Sequence, residues 1–245
     1  RGCMSFKINR VGSKIFLLGM LGVVSLVTVN FPVPSQVATQ FSPAEIKLLT
    51  LINPTLFLLL ATTAGVLANR SMKLRVSSFR GGFRYDRSTL IDIGKKAVLG
   101  GIVTGGVLVT LGHLSEQFIG TNKLQELELS LSARLLYGGI TEEILLRFGV
   151  MTSVAALIYR FVTKNLRMTM VAAIFISTIL FAAGHMPVVF ATDANPSLGL
   201  LSYVLVGNMI AGMFFGTLYW KRGLDYAMIA HMVTHLTMVT VSYAV

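Results

Sequence analysis

A single cysteine, Cys3, occurs in the 245-residue chain, which excludes an intrachain disulfide and any multi-cysteine metal cluster. Charge is scarce as well. Asp, Glu, Lys and Arg make up 13% of residues, about half of what a soluble domain carries. Acidic residues are the rarest of these, 10 against 21 Lys and Arg, for a net charge of +11. A disordered basic tail is excluded, because disorder needs low hydrophobicity and 54% of this chain is hydrophobic. The same apolarity speaks against a nucleic-acid footprint, and no nucleic-acid partner is expected. Neither strand-period alternation nor an internal repeat occurs. What is left is the composition of a membrane protein with positive charge in its loops.

A transmembrane helix needs about 20 mainly apolar residues. Seven stretches approach that length: Ile15–Phe31, Ile46–Ala68, Ala97–Phe118, Leu135–Tyr159, Met168–Pro187, Leu198–Trp220 and Leu224–Val245. They predict an all-α, polytopic membrane helix bundle of about seven transmembrane helices. Residues 1–96 supply two helices and a basic connection, and residues 97–245 supply the other five, within one integral unit. Arg10 and Lys14 before a short apolar run also fit a signal peptide, but no small-x-small cleavage pattern follows, so a retained helix is expected.

Of the 21 cations, 17 fall before the first stretch or in the connections 2–3, 4–5 and 6–7. Lys47, Lys123 and Arg134 lie in the opposite connections, where Glu45, Glu116, Glu126, Glu128 and Asp193 collect. The positive-inside rule then predicts a cytoplasmic amino terminus and a carboxyl terminus on the other side. Phe83–Ile91 mixes aromatics with cations, as an interfacial segment on anionic lipid would. Lys123–Leu129 reads as an amphipathic approach to the fourth helix. Gly101-x-x-x-Gly105 and Gly212-x-x-x-Gly216 permit close helix contact, expected inside the bundle.

Ionisable groups at bilayer depth are expensive and mark function. The fourth stretch holds Glu142, Glu143 and Arg147. The fifth holds His185, the seventh holds His231 and His235, and the third holds His113, read as an interhelical hydrogen-bonding group. On an α-helix Glu143 and Arg147, four apart, share a face and pair. Glu142 lies about 100° from Glu143 and is left spare. A carboxylate with imidazoles can deprotonate a water and stabilise an oxyanion. The i, i+4 pair His231/His235 is also a zinc-ligand spacing. If a metal is bound, its candidates are Glu142, His185, His231 and His235. Intramembrane Glu and His also build proton relays, so a proton-coupled transporter is a further reading, although no inverted repeat supports it.

Glu142-Glu143-Ile144-Leu145-Leu146-Arg147 resembles the E-E-x-x-x-R motif of the CAAX protease and bacteriocin-processing (CPBP) family. Phe181-Ala182-Ala183-Gly184-His185 resembles its F-x-x-x-H motif, and His231 stands where its H-x-x-x-N/D motif begins. The resemblance covers roughly Leu90 to Val245. It implies an intramembrane endopeptidase, related to the type II CAAX prenyl endopeptidases, acting on membrane-associated proteins or peptides in a lipid environment. Residues 97–245 would be the catalytic bundle. Glu142 and His185 would activate water, His231 and His235 would occupy the oxyanion positions, and Glu143 with Arg147 would support them. No cofactor is expected, with zinc as the alternative. His235 departs from the Asn or Asp of the motif, which leaves a catalytically divergent scaffold or regulator as the other reading.

Overall fold

The computed structural model describes residues 2–33, 39–76, 79, 84–119, 129–193 and 195–244. Among them there is no strand. Helices α1 (Gly2–Ser25), α2 (Pro43–Thr50) and α3 (Ile52–Met72) are followed by α4 (Arg87–Ile93), which continues through a π-turn, Gly94–Val98, into α5 (Leu99–Ile119). The rod α6 (Ala133–Phe161) comes next. Then come α7 (Leu166–Gly184), α8 (Met186–Thr192), α9 (Leu198–Lys221) and α10 (Leu224–Ala244). Six rods are long and apolar enough to cross a membrane. The seventh, α10, has the length, but Asp225, His231 and His235 lower its hydropathy; Asp225 and His231 are buried in the bundle.

Several helix ends differ from the hydropathy reading, and each has a local cause. α1 begins near the chain start, because its polar first turns are helical without being apolar. It ends in a 3₁₀ turn, Leu26–Thr28, ahead of Pro32, which has no N–H to donate. The second stretch is two helices that meet at Leu51. A capping box opens α2, the Ser42 hydroxyl accepting from Glu45 N and the Glu45 carboxylate accepting from Ser42 N. The third starts ten residues early, at Arg87, because Asp86 caps α4 by accepting from Thr89 N. Hydrogen bonds from Thr89 and Ser88 hold the Asp86 carboxyl below its usual range. The segment read as interfacial is therefore mostly the first turns of this rod, with Leu90 and Ile91 exposed on it; Phe83 lies outside the described residues. The amphipathic approach at Lys123–Leu129 also falls outside them, apart from Leu129.

The rod α6 is the axis of the bundle. Ile144, Phe148, Met151 and Ala155 are buried. On one side Gly22 of α1 faces Thr141 Oγ1 and the Leu136 carbonyl, and Thr141 donates to Gly19 O at 2.7 Å. On another, Gly65 of α3 lets the Phe148 carbonyl approach, and Gly149 rests on Ala61. Both glycine pairs work inside the bundle, as their spacing predicts. Gly101 and Gly105 of α5 admit Ala230, Val233, Thr234 and Thr237 of α10, while Gly212 and Gly216 of α9 admit Thr178 and Ile174 of α7.

Bonding within α6 is not α-helical. Ala133–Glu142 and Ile144–Met151 are π-helical, with i→i+5 hydrogen bonds such as Thr152 N to Arg147 O. More residues then fill each turn, so a position lies less deep than an α-count implies.

The opposite correction applies to α10. Its first residues are buried rather than at the rim: Leu224 N donates to Arg75 O, and Leu224, Asp225, Tyr226 and Ala227 are all covered. At the same end Lys14 donates to Phe79 O, Tyr85 donates to Asp225, and Asp92 faces Arg222 and Tyr226. This end gathers the basic connections.

Candidate active site

The site begins with the buried carboxylate Glu143. Its Oε2 accepts from Arg147 Nε at 3.2 Å, and its Oε1 lies 3.0 Å from His231 Nδ1. Glu143 and Arg147 have no exposed surface at all. Two charges are thus neutralised within one helix, and the carboxylate also tethers α10. Glu143 accordingly accepts from both partners and is fixed at both oxygens.

Counting rise from the helix ends puts Glu142 and His185 roughly 20–25 Å up but His231 only about 10 Å. The Glu143–His231 bond shows one level instead. The shorter rise of the π-wound α6 and the buried start of α10 both reduce the difference.

The Glu143–Arg147 pair expected from i, i+4 spacing is present, but the ground for setting Glu142 apart fails. In π-helical winding, positions four and five apart both lie near one face, so Arg147 follows Glu142 along the rod as well as Glu143. Glu142 is half-buried and makes no hydrogen bond among the described residues. It remains the carboxylate without a fixed partner, for a different reason from the one the α-period supplies.

His185 closes α7. Its Nδ1–H donates to Phe181 O at 2.8 Å, which leaves Nε2 with its lone pair outward. The chain breaks there because Pro187 opens α8. Phe181 joins the parts: its ring meets His185 edge-on at 4.8 Å and His231 at 6.0 Å, and it lies 5.2 Å beneath the Arg147 guanidinium. His231 is stacked between Phe215 at 4.4 Å and His235 at 4.9 Å. Arg147 Nη1 and Nη2 and His235 Nδ1 are buried and have no hydrogen-bond partner among the described residues. They are polar groups turned toward the interior of the cluster. His113 sits on an exposed face of α5, away from it.

Spacing did not disclose the supports of this cluster. Tyr219 and Thr152 share a hydrogen bond at 2.9 Å, and Thr152 Oγ1 donates to Arg147 O at 3.0 Å, fixing the backbone under the arginine. Phe215 clamps His231. Gly138 makes room for the His235 ring: a Cβ there would lie 2.7 Å from Nε2. The pair Gly138-Gly139 just before the carboxylates was the available signal, since adjacent glycines in a membrane rod mark close approach. Gly138→Ala is expected to destabilise the protein by about 1–3 kcal/mol through this clash, despite alanine's better helix propensity. Combining it with His235→Asn should restore most of the loss, read as thermal unfolding in detergent.

Among the described residues, no group of three His, Cys, Asp or Glu side chains is arranged to hold a metal ion. Two imidazoles already commit Nδ1, one to a carbonyl and one to a carboxylate.

Fold and site together define a multi-pass integral membrane protein with a carboxylate–imidazole cluster in its interior. Residues 124–237 match the family model described as type II CAAX prenyl endopeptidase Rce1-like. That stretch is thus similar to the CAAX protease family, and the similarity supports a CAAX-type intramembrane protease at family level. No curated protein and no solved structure matches the chain.

Proposed function

We propose that the protein hydrolyses a peptide bond in a membrane-associated protein or peptide, using a water activated by Glu142 and His185. The observation that carries this reading is the junction of α6, α7 and α10: Phe181 joins His185 to His231, and His231 is bound to the neighbour of Glu142. Water attacks the scissile carbonyl carbon, and its proton passes to Glu142 or to His185 Nε2. The tetrahedral oxyanion is met by an N–H donor from His235, with the Arg147 guanidinium behind it, while His231, its Nδ1–H committed to Glu143, orients the cluster. The proton then goes to the leaving amine as the C–N bond breaks.

The amino terminus and the basic end of the bundle are assigned to the cytoplasm, and the carboxyl terminus to the other side, from the sorting of 17 cations to one face. In the reconstituted protein, cleavage of a quenched peptide library should survive dialysis against EDTA and added o-phenanthroline. Loss that zinc alone restores would overturn the metal-free form of the mechanism.

His235 favours a second reading, a divergent scaffold that keeps the fold without the reaction. Its buried Nδ1 has no partner among the described residues, where the motif supplies an amide. His235→Asn separates the two. A fall in turnover marks His235 as part of a working site, and a large gain marks drift.

A further inference from the structure

On the lipid-facing side of the bundle, away from the carboxylate cluster, α5 and α9 part to leave a groove of about 680 Å³. Its walls are aliphatic and aromatic: Leu99, Val103 and Val107 from α5, Ile210 and Phe214 from α9. Four cations stand at its basic end, Lys95 and Lys96 on the π-turn and Lys221 and Arg222 at the end of α9. One carboxylate, Asp92, engages Lys96 and lies 3.7 Å from Arg222. Lys221 rests on the Trp220 ring, 3.5 Å from its centroid, and Lys95 is exposed. Neither makes an ion pair among the described residues, so the mouth keeps an excess of positive charge.

The same two helices part again further along, leaving about 270 Å³ beside Leu111, Leu114, Tyr203 and Val206. That hollow is apolar and has no cation in its lining. Between the two, Leu108 approaches Gly207 and closes the seam. Only the hollow at the basic end therefore combines a hydrocarbon trough with a cationic mouth. Basic recesses between membrane helices recognise anionic headgroups.

We infer that the α5–α9 groove binds one anionic phospholipid, its acyl chain along Val103, Val107 and Phe214 and its phosphate among Lys95, Lys96, Lys221 and Arg222. A prenylated peptide, which also joins a hydrocarbon tail to an anionic end, is the competing occupant. The inference does not depend on the peptidase mechanism.

Trp220 is the only tryptophan in the chain, and its ring lies against Lys221 of the mouth, so its fluorescence follows lipid held there. The full chain is reconstituted in phosphatidylcholine vesicles containing a few mole per cent of dibrominated phosphatidylglycerol or dibrominated phosphatidylcholine. Preferential quenching by the phosphatidylglycerol is expected, weakened about fivefold by Lys95→Ala, the effect of one surface cation. Gly100→Ala places a methyl against the Phe214 ring in the groove wall, reshaping the groove, and should also lessen the preference, with circular dichroism checking the fold. If that variant does not fold, Lys95→Ala decides alone. Loss of the preference on adding glycerol phosphate would show that a free phosphate suffices and overturn the lipid assignment. Equal quenching by the two lipids, a preference unchanged in Lys95→Ala, or displacement by a geranylgeranylated cysteine peptide but not by unbrominated phosphatidylglycerol would each overturn it too.

Discussion

Glu142→Gln protein, reconstituted and folded, is expected to cleave peptides about 10²–10⁴-fold more slowly than wild type, the usual contribution of a positioned acid–base group. His185→Ala should fall by a similar factor. The double variant should fall little further, because groups that share one proton transfer are not additive. Stability is the informative companion measurement. Glu142 makes no hydrogen bond among the described residues, so its replacement should leave unfolding within about 0.5 kcal/mol of wild type. Equal cleavage by wild type, Glu142→Gln and His185→Ala would remove both residues from the mechanism.

One position along, the expectation reverses. Glu143→Ala strips the buried Arg147 of its carboxylate partner and releases His231, which ties α10 to α6. Breaking a buried pair from one side costs about 3–5 kcal/mol, because an uncompensated charge stays behind. The effect should appear as a large drop in thermal stability in detergent, with activity lost through misplacement rather than chemistry. Removing both charges in Glu143→Leu/Arg147→Met should recover most of that stability, since apolar replacement of a buried pair is near neutral. Activity should not return, because the guanidinium and the His231 orientation are gone. A Glu143→Ala protein as stable as wild type would mean that the pair does not hold the rods together.

Adjacent glutamates thus have opposite signatures, and the chain announces only part of the difference. The membrane rods were legible because hydrocarbon thickness imposes a length that composition displays, and the basic end was legible because loops carry the cations. Glu143–Arg147 was legible because spacing along one helix is local. His231 bound to Glu143 was not: the two are 88 residues apart in sequence, and depth counted from helix ends assumes uniform rise and level ends. Neither holds, given the π-winding of α6 and the buried start of α10. The break at His185 was half legible, with Pro187 in view but the apolar run continuing past it. Tyr219 and Thr152 were invisible because a hydroxyl pair in an apolar run leaves no periodic trace.

The π-wound rod also has an evolutionary consequence. Each i→i+5 turn holds one residue more than an α-turn in the same stretch. Only reversion of one turn to α-winding would absorb the loss of a residue from Ala133–Thr141; while the stretch stays π-wound, the deletion would turn the rod before it relative to the carboxylates. Gly138 would leave His235, and Thr141 would leave Gly19. The interval between the glycine pair and the two glutamates is therefore held in phase by geometry, and length variation should be tolerated beyond the rod, not within it.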